Sequence, residues 1–471
     1  MRPIVRIITA VTLGLILSVT AFAACPDLTS SAGYVRTGAS GSGSGADWTN
    51  ACTDFTGACS ISSLQRGCTY YVATGTYAGT TFNTPDSGTS LISIIGATAA
   101  SHGTATGWSN SYSVSSADGG SHAIWNGEID FTSDYWVWDG SVGAIWDNTP
   151  GDYGFSFASG LNRATTIGTS GSSSSCGSAT HNITLAHFYG KATSSDVEKE
   201  FEEGNTYGGA LTNVTFSNFL IDGWQGLFMT KSGSCSSTPY TGWIVQYGVM
   251  LNGSSTSSNH GEWINPNERD LSGVIIRYNI FRGNSGNAGE TGVIVANNSN
   301  NISPVIYGNV FDNNLVGNGI ITGTSQGKLT NAVIYNNTFL NMPSASGSAL
   351  CGSGQGSGNV AENNLFYNMD ASVGGGCTSD YNSYYSTSNT PSETHGQTAS
   401  GNPFVNSAGF NYQLAAETAN GLNLGSPFNL DALGDARPGS DGIWSRGTYQ
   451  YGGTKASLPQ PPTSERITSV N

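Results

Sequence analysis

The stretch 214–220, Val-Thr-Phe-Ser-Asn-Phe-Leu, is followed by Ile-Val-Gln-Tyr-Gly-Val-Met at 244–250 and Ile-Ile-Arg-Tyr-Asn-Ile-Phe at 275–281. Val-Ile-Tyr-Gly-Asn-Val-Phe stands at 305–311, Val-Ile-Tyr-Asn-Asn-Thr-Phe at 333–339, and Val-Ala-Glu-Asn-Asn-Leu-Phe at 360–366. An earlier, weaker copy ends at Tyr189. The last residues of these copies (189, 220, 250, 281, 311, 339, 366) lie 31, 30, 31, 30, 28 and 27 apart. A repeat of this length marks a solenoid, in which each unit buries its apolar face only against its neighbours.

The residue types decide which solenoid. The copies are β-branched and aromatic, alternate in character and are bounded by Gly, Asn and Ser, with no 3.6-residue stripe. Two places before the marker stand Asn218, Asn279, Asn309, Asn337 and Asn364, with Gly248 once and His187 earlier. Stacked strands lie about 4.8 Å apart. At that spacing, side-chain amides in register can bond along the stack and so satisfy one another when buried. The expected fold is therefore all-β: a right-handed parallel β-helix with an asparagine ladder and an N-terminal cap.

The termini read differently. Residues 1–24 carry Arg2 and Arg6, an apolar run from Ile7 to Val19 and Ala21-Phe22-Ala23, the pattern of a secretory signal and too short for a mature membrane span. Phe22-Ala23-Ala24-Cys25 also loosely matches a lipobox, which makes a lipoprotein the alternative to simple export. Export to a secreted, periplasmic or cell-surface location leaves eight cysteines for disulfides, whereas lipidation leaves an odd seven. Cys351 and Cys377, 26 residues apart, suit a bridge between neighbouring coils; Cys52, Cys59 and Cys68 suit a pinned N-terminal cap; Cys176 and Cys235 form a weaker pair. The expected organisation is signal 1–24, cap and first coils 25–100, helix 101–400, closing segment 401–453 and a disordered Pro- and Ser-containing tail 454–471.

Composition narrows the partners. Charged residues are only 10%, 65 glycines supply the turns, and the net charge is −15, or −17 without Arg2 and Arg6. Such a balance argues against nucleic acid, which needs a basic surface. It disfavours an anionic polymer unless metal ions or a cationic patch intervene. The solenoid itself is expected to be monomeric, with a polysaccharide or oligosaccharide as its partner. Trp108, Trp125, Trp136, Trp138 and Trp146 can stack on sugar rings, but large aromatics more often fill the core.

Tyr34-Val-Arg-Thr-Gly leads through a Gly-rich turn to Trp48 and then Gly67-Cys-Thr-Tyr-Tyr-Val-Ala-Thr-Gly-Thr-Tyr77. Asn402-Pro-Phe404, Tyr412-Gln-Leu414, Gly425-Ser-Pro427, Asp435-Ala-Arg-Pro438 and Gly447-Thr-Tyr449 stand at the other end. With the repeats, this pattern resembles the secreted right-handed parallel β-helix proteins of the pectate-lyase-like superfamily over roughly residues 33–451. That resemblance implies the architecture. It does not choose among the superfamily's lyases, hydrolases, epimerases and proteins without chemistry.

Counting from the markers gathers ionisable residues on one side of four coils: Glu200 within 196–203, Lys231, His260 with Glu262, and Glu290. Farther on, the same place holds Ile320, Ala349 and Leu350. Aligning Gly226, Gly261 and Gly292 instead sets Glu262 in a row with Leu227 and Val293, so a one-residue slip would move it from groove to core. Singly, each has a plainer reading as a solvated lysine, a solvated acidic loop or a turn histidine; together they suggest a site. For β-elimination from a uronic-acid-containing polymer, Lys231 is the candidate base, assisted by His260 or Arg269. Glu200, Glu202, Glu203 and Glu262 are candidate Ca²⁺ ligands, since this ion prefers oxygen donors. Some lyases of the superfamily resemble this arrangement in setting a basic residue beside Ca²⁺-binding carboxylates. A glycoside hydrolase would instead pair Glu262 with Glu290 or Glu200. A non-catalytic carbohydrate-binding or surface solenoid needs neither.

Overall fold

In the computed structural model, residues 32–453 are described, apart from 147, 162, 170–174, 176, 193–199, 205–208, 225, 231–239, 254–262, 266–270, 284–292, 297–300, 314–319, 324–326, 343–348 and 371. In several strands, 200–204 and 228–230 among them, only the backbone is described. The segment 1–24, Cys176, Cys235 and the tail 454–471 lie outside the described residues.

Among the described residues the chain is all strand, turn and short 3-10 segments, with no α-helix. None of its described helices is long and apolar enough to cross a membrane. Three columns of parallel strands carry the repeat. In the first, Ile244, Ile275, Val305, Val333, Val360 and Thr378 pair in succession. In the second the succession is Val249, Ile280, Val310, Thr338, Leu365, Ser383 and Gln397. The third is an eight-stranded sheet that runs from Thr80–Phe82 through Ile129–Phe131, Arg163–Ile167, Glu200–Gly204, Gly226–Thr230, Ile264–Asn265 and Ile294–Ala296 to Ile321–Gly323. The coil-to-coil step is 31 residues at 244→275 and 27 at 333→360, then drops to 18 at 360→378.

Inside, like side chains stack on like. Phe281, Phe311, Phe339, Phe366 and Tyr384 form a continuous pile with centroids 4.7, 4.8, 5.1 and 5.3 Å apart and near-parallel rings. Trp125, Trp136 and Trp138 are fully buried, so they fill the core rather than offer faces to sugars; Trp108 and Trp146 are half-buried.

Asn279, Asn309, Asn337 and Asn364 are fully buried and run as a hydrogen-bonded column. Each donates from its backbone N–H and its Nδ2 to the Oδ1 of the next, at 2.9–3.1 Å. The column continues to Asn382, whose own N–H and Nδ2 donate to the two carboxylate oxygens of Glu393 at 3.0 and 2.8 Å. Going the other way, the register departs from the one counted on sequence. Met250 pairs with Ile221, not Leu220, so the row of Asn279 runs back through Gly248 to Phe219 and Phe188, whose rings stack at 5.3 Å. Asn218 and His187 fall one place earlier. They belong to a different row, with Tyr247, Tyr278, Gly308, Asn336, Asn363 and Tyr381, all at φ between 51° and 65°. This is the left-handed bend between the first two columns, a conformation that Gly and Asn enter most easily. Gly248 is a glycine for a packing reason: a Cβ there would lie 2.2 Å from the Phe219 ring. An amide cannot occupy the row where a phenyl ring from the preceding coil already fills it.

Two disulfides are described, Cys52–Cys59 near the N-terminus and Cys351–Cys377 between neighbouring coils; Cys68 is also disulfide-bonded. At the other end, residues 402–451 run back along the outside of the stack. Phe428 packs on Tyr307 and Tyr335, Trp444 Nε1 donates to Asn336 Oδ1 (3.0 Å), and Thr448 Oγ1 donates to the Asn309 carbonyl (2.7 Å). Arg437, fully buried, donates to the carbonyls of Ser445 and Gly447 at 2.6 and 2.8 Å.

Candidate functional site

The eight-stranded sheet carries a cluster of charged side chains on its early strands. Parallel pairing sets Thr81, Asp130 and Thr166 side by side on three successive coils. Thr81 Oγ1 donates to Asp130 Oδ2 at 3.1 Å. Glu128 stands two residues before Asp130, immediately ahead of the strand Ile129–Phe131. Arg163 donates to Glu128 through Nε, and through Nη2 to Oε2 at 2.9 Å; Thr166 Oγ1 donates to Glu128 Oε1. A forked guanidinium bond of this kind fixes both orientation and charge.

The two carboxyls are driven apart in acidity. Burial would raise Glu128, but hydrogen bonds from Arg163 and Thr166 outweigh it and hold Glu128 below the usual range. Asp130 is pushed up to about 6, first by burial and then by the neighbouring Glu128 charge. Asp130 Oδ1 is buried and faces the Glu128 carboxyl, with no other hydrogen-bond partner among the described residues. One carboxyl that stays ionised beside another that exchanges its proton near neutrality is an arrangement suited to acid–base chemistry.

The sheet register reorders the residues singled out from sequence. Glu200 lies opposite Arg163 on one side and Gly226 on the other. Gly226 is five residues short of Lys231, so the sequence count that matched Glu200 with Lys231 is corrected by that interval. Glu202 falls in the row of Ile129, Thr165, Phe228 and Ile264, where Ile129, Thr165 and Ile264 are fully buried. Glu203 falls one residue on, in the row of Asp130, Thr166 and Met229. The acidic run is thus divided between two rows rather than presented as one set. The core row that holds Leu227 and Val293 is completed by Trp263: Leu227 N–H donates to the Trp263 carbonyl, Ile264 N–H to that of Val293, and all three side chains are buried. In that row the residue between Leu227 and Val293 is Trp263; Glu262 itself lies outside the described residues. Lys231, His260, Glu262, Arg269 and Glu290 themselves lie outside the described residues, and so do the side chains of Glu200, Glu202 and Glu203. Ile320, Ala349 and Leu350, which the count set level with Glu290, are fully buried, and the register places Ile320 opposite Val293 instead.

Among the described residues no group of three His, Cys, Asp or Glu side chains converges as a metal site. The sequence count missed Glu128, Asp130, Arg163 and Thr166 because it began at Tyr189. The only signal for the pair was Glu128-Ile-Asp-Phe131, an alternation of acidic and apolar residues of the kind that marks a half-buried strand.

No family model matches the chain, and no curated protein matches it. Among solved structures, the chain is similar to the crystal structure of pectate lyase Pel9A at 17% identity, over 88% of this chain and 96% of that one, with a TM-score of 0.48.

Proposed function

We propose that the chain is an exported right-handed parallel β-helix that acts on polysaccharide. In this reading it cleaves a uronic-acid-containing polymer by β-elimination along the outer face of the eight-stranded sheet. The observation that supports it is the cluster of Glu128, Asp130 and Arg163 on this sheet, beside the strand Glu200–Gly204, in which Glu200 pairs with Arg163. In such an elimination the C5–H and C4–O bonds break and a C4–C5 double bond forms; the C5 proton passes to a base, and the departing oxygen takes a proton. Lys231 is the proposed base, with His260 and Arg269 orienting the substrate carboxylate. Ca²⁺ held by carboxylates of the set Glu200, Glu202, Glu203 and Glu262 would supply charge neutralisation at that carboxylate.

One observation favours a second reading, hydrolysis. The Glu128–Asp130 pair, with its split protonation, is the kind of acid and base that glycosidic cleavage uses. In place of Glu262 paired with Glu290 or Glu200, this reading uses residues on earlier coils. Asp130 and Met229 share a row three coils apart, roughly 14 Å at one strand spacing per coil, so the two readings use different stretches of the same sheet.

The assay follows from that separation. The mature protein is incubated with polyuronates and neutral glycans, with calcium or with chelator. Unsaturated uronate product that appears only with calcium, and that falls at least a hundredfold in Lys231→Ala but not in Asp130→Asn, carries the lyase reading. New reducing ends without unsaturation, abolished by Asp130→Asn, carry the hydrolase reading. If neither product forms on any polymer of the panel, the chain is a binding solenoid and both readings fail.

A further inference from the structure

The turn that follows the second column carries a constellation of its own. Arg282 ends the strand Ile280–Arg282 with its Nε 3.3 Å from Asp312 Oδ2 and its guanidinium 3.9 Å over the ring of Phe410. Asp312, almost fully buried, is held in turn by Tyr412 Oη–H (2.8 Å) and Asn341 Nδ2 (2.9 Å). The guanidinium is thus fixed in place by a ring and an ion pair, and its charge is balanced where it sits.

Two clefts, of about 400 and 410 Å³, meet at Arg282 and Asn313. The first continues past Asn341 and Tyr367 to Asn402 of the closing segment; the second continues past Asn252 to Phe410. From Asn252 to Tyr367 they cross four coil steps, roughly 19 Å along the stack at one strand spacing per coil. The lining is a row of amides, an immobilised arginine paired with Asp312, and a tyrosine, with little net charge; Asn252 and Asn341 spend one N–H each, on Asp222 and Asp312 respectively, and keep the second N–H for a ligand. Amides and guanidinium N–H groups suit the hydroxyls of a pyranose, and an aromatic face suits its C–H side. A polyanion is a poor match, because Asp312 already neutralises Arg282 and the chain carries −15 overall.

We infer that this groove is an auxiliary site that binds a linear glycan of neutral sugars lengthwise along the stack. It is separate from the eight-stranded sheet and does not rest on whether that sheet is catalytic.

The test is calorimetric titration of the full chain with neutral hexasaccharides (β-glucan, xylan, mannan and galactan) and with hexagalacturonate. At least one neutral hexasaccharide should bind, and Arg282→Gln should weaken it at least tenfold. Because Arg282→Gln also breaks an ion pair, Asn313→Gly serves as the second variant. Asn313 is exposed at φ 53°, so glycine keeps the backbone and removes only the amide. Weakening in either folded variant supports the site. Binding equal to the parent in both, binding of hexagalacturonate alone, or no binding across the panel overturns it.

Discussion

Asp130 keeps its proton up to a pH of about 6, whereas an aspartate in the unfolded chain gives it up near 3.9. Between those values the folded state holds more protons than the unfolded one, so this group's contribution to stability is full below pH 4 and is lost as pH rises through 6. Asp130→Asn, which imitates the protonated form, should therefore raise stability at pH 7.5 by about 1 kcal/mol, a value already discounted for solvent screening, and should flatten the slope between pH 4 and 7. Urea unfolding at five pH values checks this; an unchanged slope refutes it. At this scale the sequence was legible where one property sufficed. Tryptophans such as Trp136 and Trp138 were readable as core from size alone. Asp130 was not, because its acidity depends on burial, Glu128, Thr81 and Arg163, and Thr81 and Arg163 reach it only through pairing with strands more than 30 residues away.

The amide column shows what a periodic pattern does and does not carry. Its spacing identified Asn279, Asn309, Asn337 and Asn364, and each one bonds to the next. It could not separate Asn218 from them, since an asparagine at a left-handed bend and one in a buried column are the same letter one place apart. The two roles predict different costs. Asn309→Ala leaves the Asn279 backbone N–H and Nδ2 without their acceptor and should cost about 2 kcal/mol, whereas Asn218→Gly, at φ 51°, keeps the bend, removes only the acceptor of the Ser217 hydroxyl and should cost about 1 kcal/mol. Equal losses in thermal unfolding would contradict the assignment. Gly248→Asn should destabilise by at least about 2 kcal/mol by driving an amide into the Phe219 ring, and Phe219→Ala should recover part of that loss, a non-additivity that a double-mutant cycle reads directly.

Over the whole molecule, the solenoid was legible because its repeat is local, but the side chains that face one another across coils were not. The count from Tyr189 and Leu220 to Glu200 and Lys231 crosses connections of unequal length, and five residues of error accumulated between two adjacent strands. The closing segment was read as an end, yet it acts as a brace. Trp444, Thr448 and Phe428 return to coils about 90 to 140 residues back along the chain. A chain ending at Gly401 exposes the row of Asn336 and Asn363 and should melt at least 10 °C lower or precipitate, as a stack of nearest-neighbour units does when its protective end is removed. Arg437→Ala tests the brace from within and should cost about 3 kcal/mol, since it strips two buried carbonyls of their donors. The contact between Asn382 and Glu393 has a consequence for the length of the molecule. Every amide in the column passes two hydrogens forward, and every one after Asn279 accepts two from behind, so the sequence of bonds is one-way and cannot close on another amide without asking for a further winding. A glutamate side chain has no N–H to pass on. Glu393 is therefore a full stop: lengthening the molecule by one turn requires a new asparagine ahead of it and the glutamate moved along behind.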